Sequence, residues 1–314
     1  MTGGTAHEPP TEVQPSATLA GTPVRSSSPT RDAWRRLLHN PVAVLCMLYI
    51  VGLVVLAAAA PLVAHYRYDT QDYSALLSPP GGKHPLGTDN LGEDVLSRLV
   101  YGARVSLGVA LIVIAIEVSI GLPLGLVAGY RGGATDLILM RVTDAMFAFP
   151  DILLAILLQA IIMSGNTALP PAFNFLTLFA ALGIVAWPAM ARLVRGQAMA
   201  LRDREFVDAA RAAGVRSGAI IWRHIAPNLM GPVIVQITQD VASVVLAEAT
   251  LSFLGLGVQP PFPSWGRMIN DALPYKEAHP LLLMFPSLAL ALTVMAFNFL
   301  GDAMRDALDP RLRE

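Results

Sequence analysis

Six long apolar stretches decide what this chain can become. The first, Val42 to Ala60, runs nineteen residues without a charge; as a helix it rises about 28 Å and matches the ~30 Å hydrocarbon core of a bilayer. Five more follow at Ser106 to Ala128, Ala145 to Met163, Phe173 to Ala191, Asn228 to Leu251 and Pro280 to Leu300. None alternates as a barrel strand would, and backbone in lipid must satisfy its own hydrogen bonds, so the expected fold class is all-α: a polytopic membrane protein with six transmembrane helices. Composition agrees, with 54% hydrophobic against 14% charged residues and a mean hydropathy of +0.55. A formal net charge of −1 gives no support to nucleic-acid binding. One cysteine, Cys46, excludes an intrachain disulfide.

Residues 1–30 are rich in Pro, Ser, Thr and Gly without a hydrophobic period, and read as a disordered cytoplasmic tail ahead of a permease-sized membrane domain, 31–314. The first apolar run lies too far in for a signal peptide and reads as an uncleaved anchor. With that tail inside, sixteen Lys and Arg fall on the cytoplasmic side and six outside. The positive-inside rule then places both termini in the cytoplasm of a multi-pass protein.

Two loops stand out. The external segment 61–105 opens with Tyr66, Tyr68, Tyr73 and a Pro-Pro-Gly-Gly turn, and its Asp89 to Val100 portion predicts a short surface helix capped by Thr88 or Asp89. The cytoplasmic segment 192–227 carries Glu205, Asp208 and Arg211 at helical spacing among small alanines, then Gly214 as a helix stop, then a short helix from Ser217 to Arg223. Ile220, Ile221 and Trp222 in that short helix form an expected outward apolar knob that something should cover. Arg216 and Arg223 flank it, and Pro227 leads into the fifth span. A plain basic membrane flank is the bland alternative.

In this segment Asp208, Ala209 and Ala210, then Gly214, then His224, Ile225, Ala226 and Pro227 stand at the spacing Glu-Ala-Ala, three residues, Gly, nine residues, Ile, one residue, Leu-Pro. The chain thereby resembles the permease subunits of bacterial binding-protein-dependent ABC importers. Further stretches resemble the C-type permease of dipeptide and oligopeptide importers. They are His84-Pro85-Leu86-Gly87-Thr88-Asp89, Tyr101-Gly102-Ala103-Arg104, Leu251-Ser252-Phe253-Leu254-Gly255-Leu256-Gly257, Pro263-Ser264-Trp265-Gly266 and Gly301-Asp302-Ala303-Met304-Arg305-Asp306. Glu93 departs from the arginine that pattern leads one to expect, which puts an external salt bridge there in doubt.

The resemblance implies a type I importer permease fold and a half-channel in the bacterial inner membrane. A homologous second permease would complete the path, two cytosolic ATPase subunits or domains would use ATP and Mg, and an extracytoplasmic binding protein would deliver peptide. The Ser217 to Arg223 helix would be the coupling helix. The chain itself is expected to be non-catalytic and free of cofactors: its only lysines, Lys83 and Lys276, do not fit a phosphate-cradling Gly-x-x-x-x-Gly-Lys loop. The same motifs leave a nickel or other solute permease open.

Charged residues inside spans are costly, about 2.5 kcal/mol or more at mid-bilayer, and mark function or buried pairing. Glu117, Asp151, Asp240 and Glu248 qualify, with Glu248 the leading expectation for lining the path, and Gln159, Gln236, Gln239 and Ser243 are further polar residues. An ion-coupled carrier using these acids as a proton relay is the alternative of a different class. Gly121, Gly125 and Gly129 repeat every four residues, which suits close helix contact, either within the chain or against the partner permease.

Overall fold

A computed structural model describes residues 29–164 and 171–308. The expected tail lies outside the described residues up to position 28. Residues 29 and 30 already belong to α1 (Pro29–His39), an amphipathic helix before the first span. Asn40 caps α2 (Pro41–Ala58) by accepting from the amides of Val42 and Ala43, with Pro41 at the helix start where its missing N–H costs nothing. A single turn, α3 (Ala60–Val63), follows.

The second span differs most from expectation. Instead of a surface helix and a separate span, α4 runs unbroken from Val95 to Arg131, 37 residues, or about 55 Å. Its N-cap is Asp94, whose carboxylate accepts from Ser97 N at 2.8 Å, and not Thr88 or Asp89. The amphipathic portion before Ser106 is the N-terminal end of the span itself, its apolar side closed by Trp265, which donates from Nε1 to Leu99 O at 3.1 Å. Thr88 instead serves the loop, accepting from Ser78 N at 2.9 Å.

The third apolar run is broken. Helices α5 (Gly133–Phe147) and α6 (Asp151–Ser164) meet at 90° around Phe149 and Pro150. Proline disfavours the helical conformation in the residue before it and removes a helix hydrogen bond. Among the described residues five helices are therefore long and apolar enough to cross a membrane, and six spans result when this bent pair is taken as one. The others are α7 (Pro171–Arg202), α10 (Met230–Phe253) and α12 (Pro280–Leu308). Between α7 and α10 come α8 (Glu205–Ala212) and the one-turn α9 (Ser217–Ala219), and between α10 and α12 comes α11 (Trp265–Ala272), capped by Ser264.

The bundle is centred on α4 against α7. A Cβ added at Gly121, Gly125 or Gly129 would stand 2.7, 2.5 or 2.6 Å from the carbonyl oxygens of Trp187, Ala191 and Arg195. The glycine ladder thus brings two backbones of this chain together, and its glycine face is not available to a second permease. Without a hydrophobic drive between helices in lipid, small residues supply this close packing. On the other flank Tyr49 Oη and Thr293 Oγ1 meet at 3.0 Å, tying α2 to α12.

Arg98 organises the loop between α3 and α4. It is buried and pairs with Asp89 Oδ2 at 2.5 Å, with Glu93, and at 4.0 Å with Asp271 of α11. The residue doubted as a salt-bridge partner, Glu93, is therefore one. Nearby, His84 Nδ1 and Asp94 Oδ1 lie 3.0 Å apart with Tyr66 stacked on the imidazole.

Candidate coupling segment and transport cleft

The segment between α7 and α10 is built from a well-defined helix stop. After α8, Val215 N donates to Ala210 O at 3.1 Å and Gly214 N to Arg211 O at 3.0 Å. That pair of bonds requires the left-handed conformation at Gly214, whose φ is +76°. A Cβ there meets nothing within 4 Å. Within this chain Gly214 is needed for its backbone angle alone.

Beyond α9 the chain enters a π-helical turn, Ile220–Ile225, closed by Ala226 N donating to Ile221 O, then a 3-10 turn, Ala226–Leu229, containing Pro227. The outward three-residue knob does not form. Ile220 and Ile221 are 1% and 5% exposed and pack with Ile225, Leu229, Val207 and Ala210 against Leu126 and Tyr130 of α4 and Met190, Val194 and Ala198 of α7. Successive residues of a helical turn point about 100° apart, so three in a row cannot share one face. Trp222 alone of the three remains outside, 55% exposed.

Around Trp222 the surface carries Arg216, Ser217 and Arg223, with half-buried His224 accepting at its carbonyl from Asn228 Nδ2. Glu205, Asp208 and Ala209 are exposed on α8, whereas Ala210 is buried. Asp208 pairs with Arg211 at 2.9 Å, and the Arg211 guanidinium lies over the Tyr130 ring at 5.5 Å. Interaction with the Tyr130 hydroxyl holds the arginine above its ordinary pKa. Phe206, also exposed, was not singled out from sequence; a large aromatic between Glu205 and Val207 on a helix with a buried opposite face was the available signal.

The polar residues of the spans separate into two groups. Glu248, expected along the path, is fully buried: Ser106 donates to its Oε2 at 3.1 Å and Ser252 to its Oε1 at 2.6 Å. It ties α4 to the C-terminal end of α10 and does not line the cleft. Gln239 turns to α12, donating to Asp302 at 3.3 Å. Gln159 is buried in α6. Glu117, Asp151, Asp240 and Ser243 are instead brought together at a cleft of about 480 Å³ between α4, the α5–α6 bend, α7 and α10. Gln236 steadies Asp240, donating to its two oxygens at 2.9 and 3.0 Å. Among the described residues no group of three or more His, Cys, Asp or Glu is placed to hold a metal ion.

The family model described as binding-protein-dependent transport system inner membrane component matches residues 121–314, more than half the chain and the whole of the segment just described. The chain belongs to that family. A second model, the N-terminal TM domain of oligopeptide transport permease C, matches residues 28–80. The dipeptide transport system permease protein DppC of Alkalihalophilus pseudofirmus is 40% identical over 286 residues, 91% of each chain. The glutathione transport system permease protein GsiD of Pectobacterium atrosepticum is 41% identical over 287 residues, 91% of this chain and 92% of that one. In fold, a chain from an inward-facing MetNI methionine ABC transporter superposes with a TM-score of 0.55 at 19% identity, covering 68% of this chain and 97% of the other. The protein is a multi-pass inner-membrane permease subunit of the ABC class, a non-catalytic component that couples to a cytosolic ATPase. An ion-coupled carrier is set aside.

Proposed function

We propose that this subunit forms half of the translocation path of an ATP-driven peptide importer, with both termini cytosolic. A homologous permease would complete the path, two ATPase subunits or domains would power it, and a binding protein would deliver peptide from outside. The cargo reading rests on relatives named for dipeptides, oligopeptides and glutathione; the orientation rests on the sixteen-to-six distribution of basic residues.

One observation carries the coupling role. The segment 205–229 is rooted in the cytoplasmic ends of α4 and α7 by Ile220, Ile221, Ile225 and Leu229 while Trp222 stays uncovered. A transmission element must be stiff where it joins the spans and must offer an anchor where it meets the motor. Aromatic residues with flanking arginines serve as such anchors. Site-directed crosslinking tests it: with Cys46 replaced by Ala, a cysteine introduced by Ser217→Cys or Trp222→Cys should crosslink to the ATPase in an active complex. Crosslinks that reach every subunit except the ATPase would end the coupling reading.

A further inference from the structure

Glu117 is 1% exposed, and neither of its carboxylate oxygens accepts a hydrogen bond from any described donor. Its interacting neighbour is a second carboxyl, Asp240. A third, Asp151, also lines the cleft, and the rest of the lining is aliphatic, hydroxylic or aromatic, Val113, Leu182, Thr250 and Phe147 among it, with no Lys, Arg or His. Two carboxyls side by side in a low-dielectric wall repel unless a proton or a cation lies between them. The cavity has the size of a small-molecule site, and its few convergent polar groups are of one sign.

Among the described residues the other buried acids already have donors. Ser106 and Ser252 serve Glu248, the Ser97 amide serves Asp94, and Arg98 serves Glu93. The Glu117 and Asp240 pair differs: it lines the cleft, and Glu117 takes no donor among the described residues. Gln236 fixes only the Asp240 side, leaving the side toward Glu117 for an incoming group. Dipeptides, oligopeptides and glutathione share one cationic feature, a protonated amino group.

We infer that the cleft between Glu117 and Asp240 is a transient subsite for the primary ammonium of a peptide in transit. This rests on the peptide-importer reading above. The ammonium would donate to the orphaned oxygens of Glu117 and to Asp240, with Ser243 and Thr250 within the same cleft for the peptide's polar backbone. The aliphatic wall would accept small side chains without selecting among them, as a path for varied sequences requires.

The test uses the complete transporter in nanodiscs and the probe alanyl-alanine methylamide, whose sole charge is its ammonium. Saturation-transfer NMR from protein to the probe's methyl groups should give a signal in the wild type. The signal should weaken about tenfold, the scale of one charged hydrogen-bonded contact, in Glu117→Gln and in Asp240→Asn. Glu117→Asp, which keeps the charge, should retain it, and the N-acetylated probe should give little in any form. Equal signals in wild type and Glu117→Gln, equal signals from the acetylated probe, or loss of signal on adding sodium or potassium chloride in place of choline chloride would each overturn the inference; the last identifies an inorganic-cation site, and unchanged signals a proton shared by the two acids. ATP hydrolysis stimulated by peptide-loaded binding protein separates the two levels. Stimulation without an ammonium-dependent signal removes the subsite and leaves the importer, whereas a complex that no peptide stimulates removes both.

Discussion

Gly125 and Ala191 are joined backbone to backbone: a Cβ on the glycine would stand 2.5 Å from the alanine's carbonyl oxygen and 2.7 Å from Val194 Cβ. No side-chain rotation relieves a contact with a carbonyl, so Gly125→Ala must push α4 away from α7. We expect a loss of about 1 to 3 kcal/mol, the usual cost of overpacking, and no folded protein from Gly125→Leu. The control is Gly108 in the same helix, whose added Cβ meets nothing within 4 Å; Gly108→Ala should be neutral or slightly stabilising through helix propensity. Thermal unfolding of the two alanine variants in detergent settles the comparison, and equal melting temperatures would refute the ladder as the organising contact.

Much of this arrangement was legible in the residues. The run Val42 to Ala60 lies within a residue or two of α2, and the four-residue glycine repeat announced close contact, though not that the contact would be with α7. What was illegible depends on rotation about helix axes and on distant partners. Glu248 sits one turn from Ser252, which is visible in sequence, but its second donor, Ser106, is 142 positions away and appears only in the fold. Two signals were present and not weighed. Pro150 inside the third apolar run marks the 90° bend, and three successive apolar residues at Ile220, Ile221 and Trp222 must divide between inside and outside on any helix.

Asp89 makes the external hub sensitive to acid. Burial raises its carboxyl above the ordinary value, against the opposing pull of Arg98 and of the Leu91 amide. A folded-state value above the unfolded one, about 3.9, means that the native state binds the proton more tightly. Asp89 therefore adds stability at low pH, and that contribution is lost as pH rises through its folded value. Melting temperatures of wild type and Asp89→Asn across the acidic range should diverge within that window, the wild type gaining relative to the variant on acidification. Parallel curves would show that Asp89 does not titrate in the fold.

Gly214 should tolerate substitution according to backbone preference and not size. Its φ of +76° is costly for residues with a Cβ, while the space around it is open. Gly214→Asn, which accepts left-handed conformations, should be the mildest change. Gly214→Ala should cost about 1 to 2 kcal/mol, and the β-branched Gly214→Val at least as much. Hydrogen exchange at residues 213–217, together with transport, reads this out. An order that follows side-chain volume, with Asn worse than Ala, would show that a partner crowds this glycine in the complex.

Ile221 and Trp222 are adjacent in sequence but should fail in opposite ways. Ile221 is a root of the proposed coupling segment, so Ile221→Ala removes packing against α4 and α7 and should destabilise the chain by about 2 to 5 kcal/mol. Trp222 touches that core little and is 55% exposed. Trp222→Ala should leave the melting temperature of the isolated subunit nearly unchanged and lower co-purification of the ATPase and peptide-stimulated hydrolysis together. If Trp222→Ala melts early while ATPase association persists, the tryptophan belongs to the fold and the docking contact lies elsewhere, with exposed Phe206 the next position to replace.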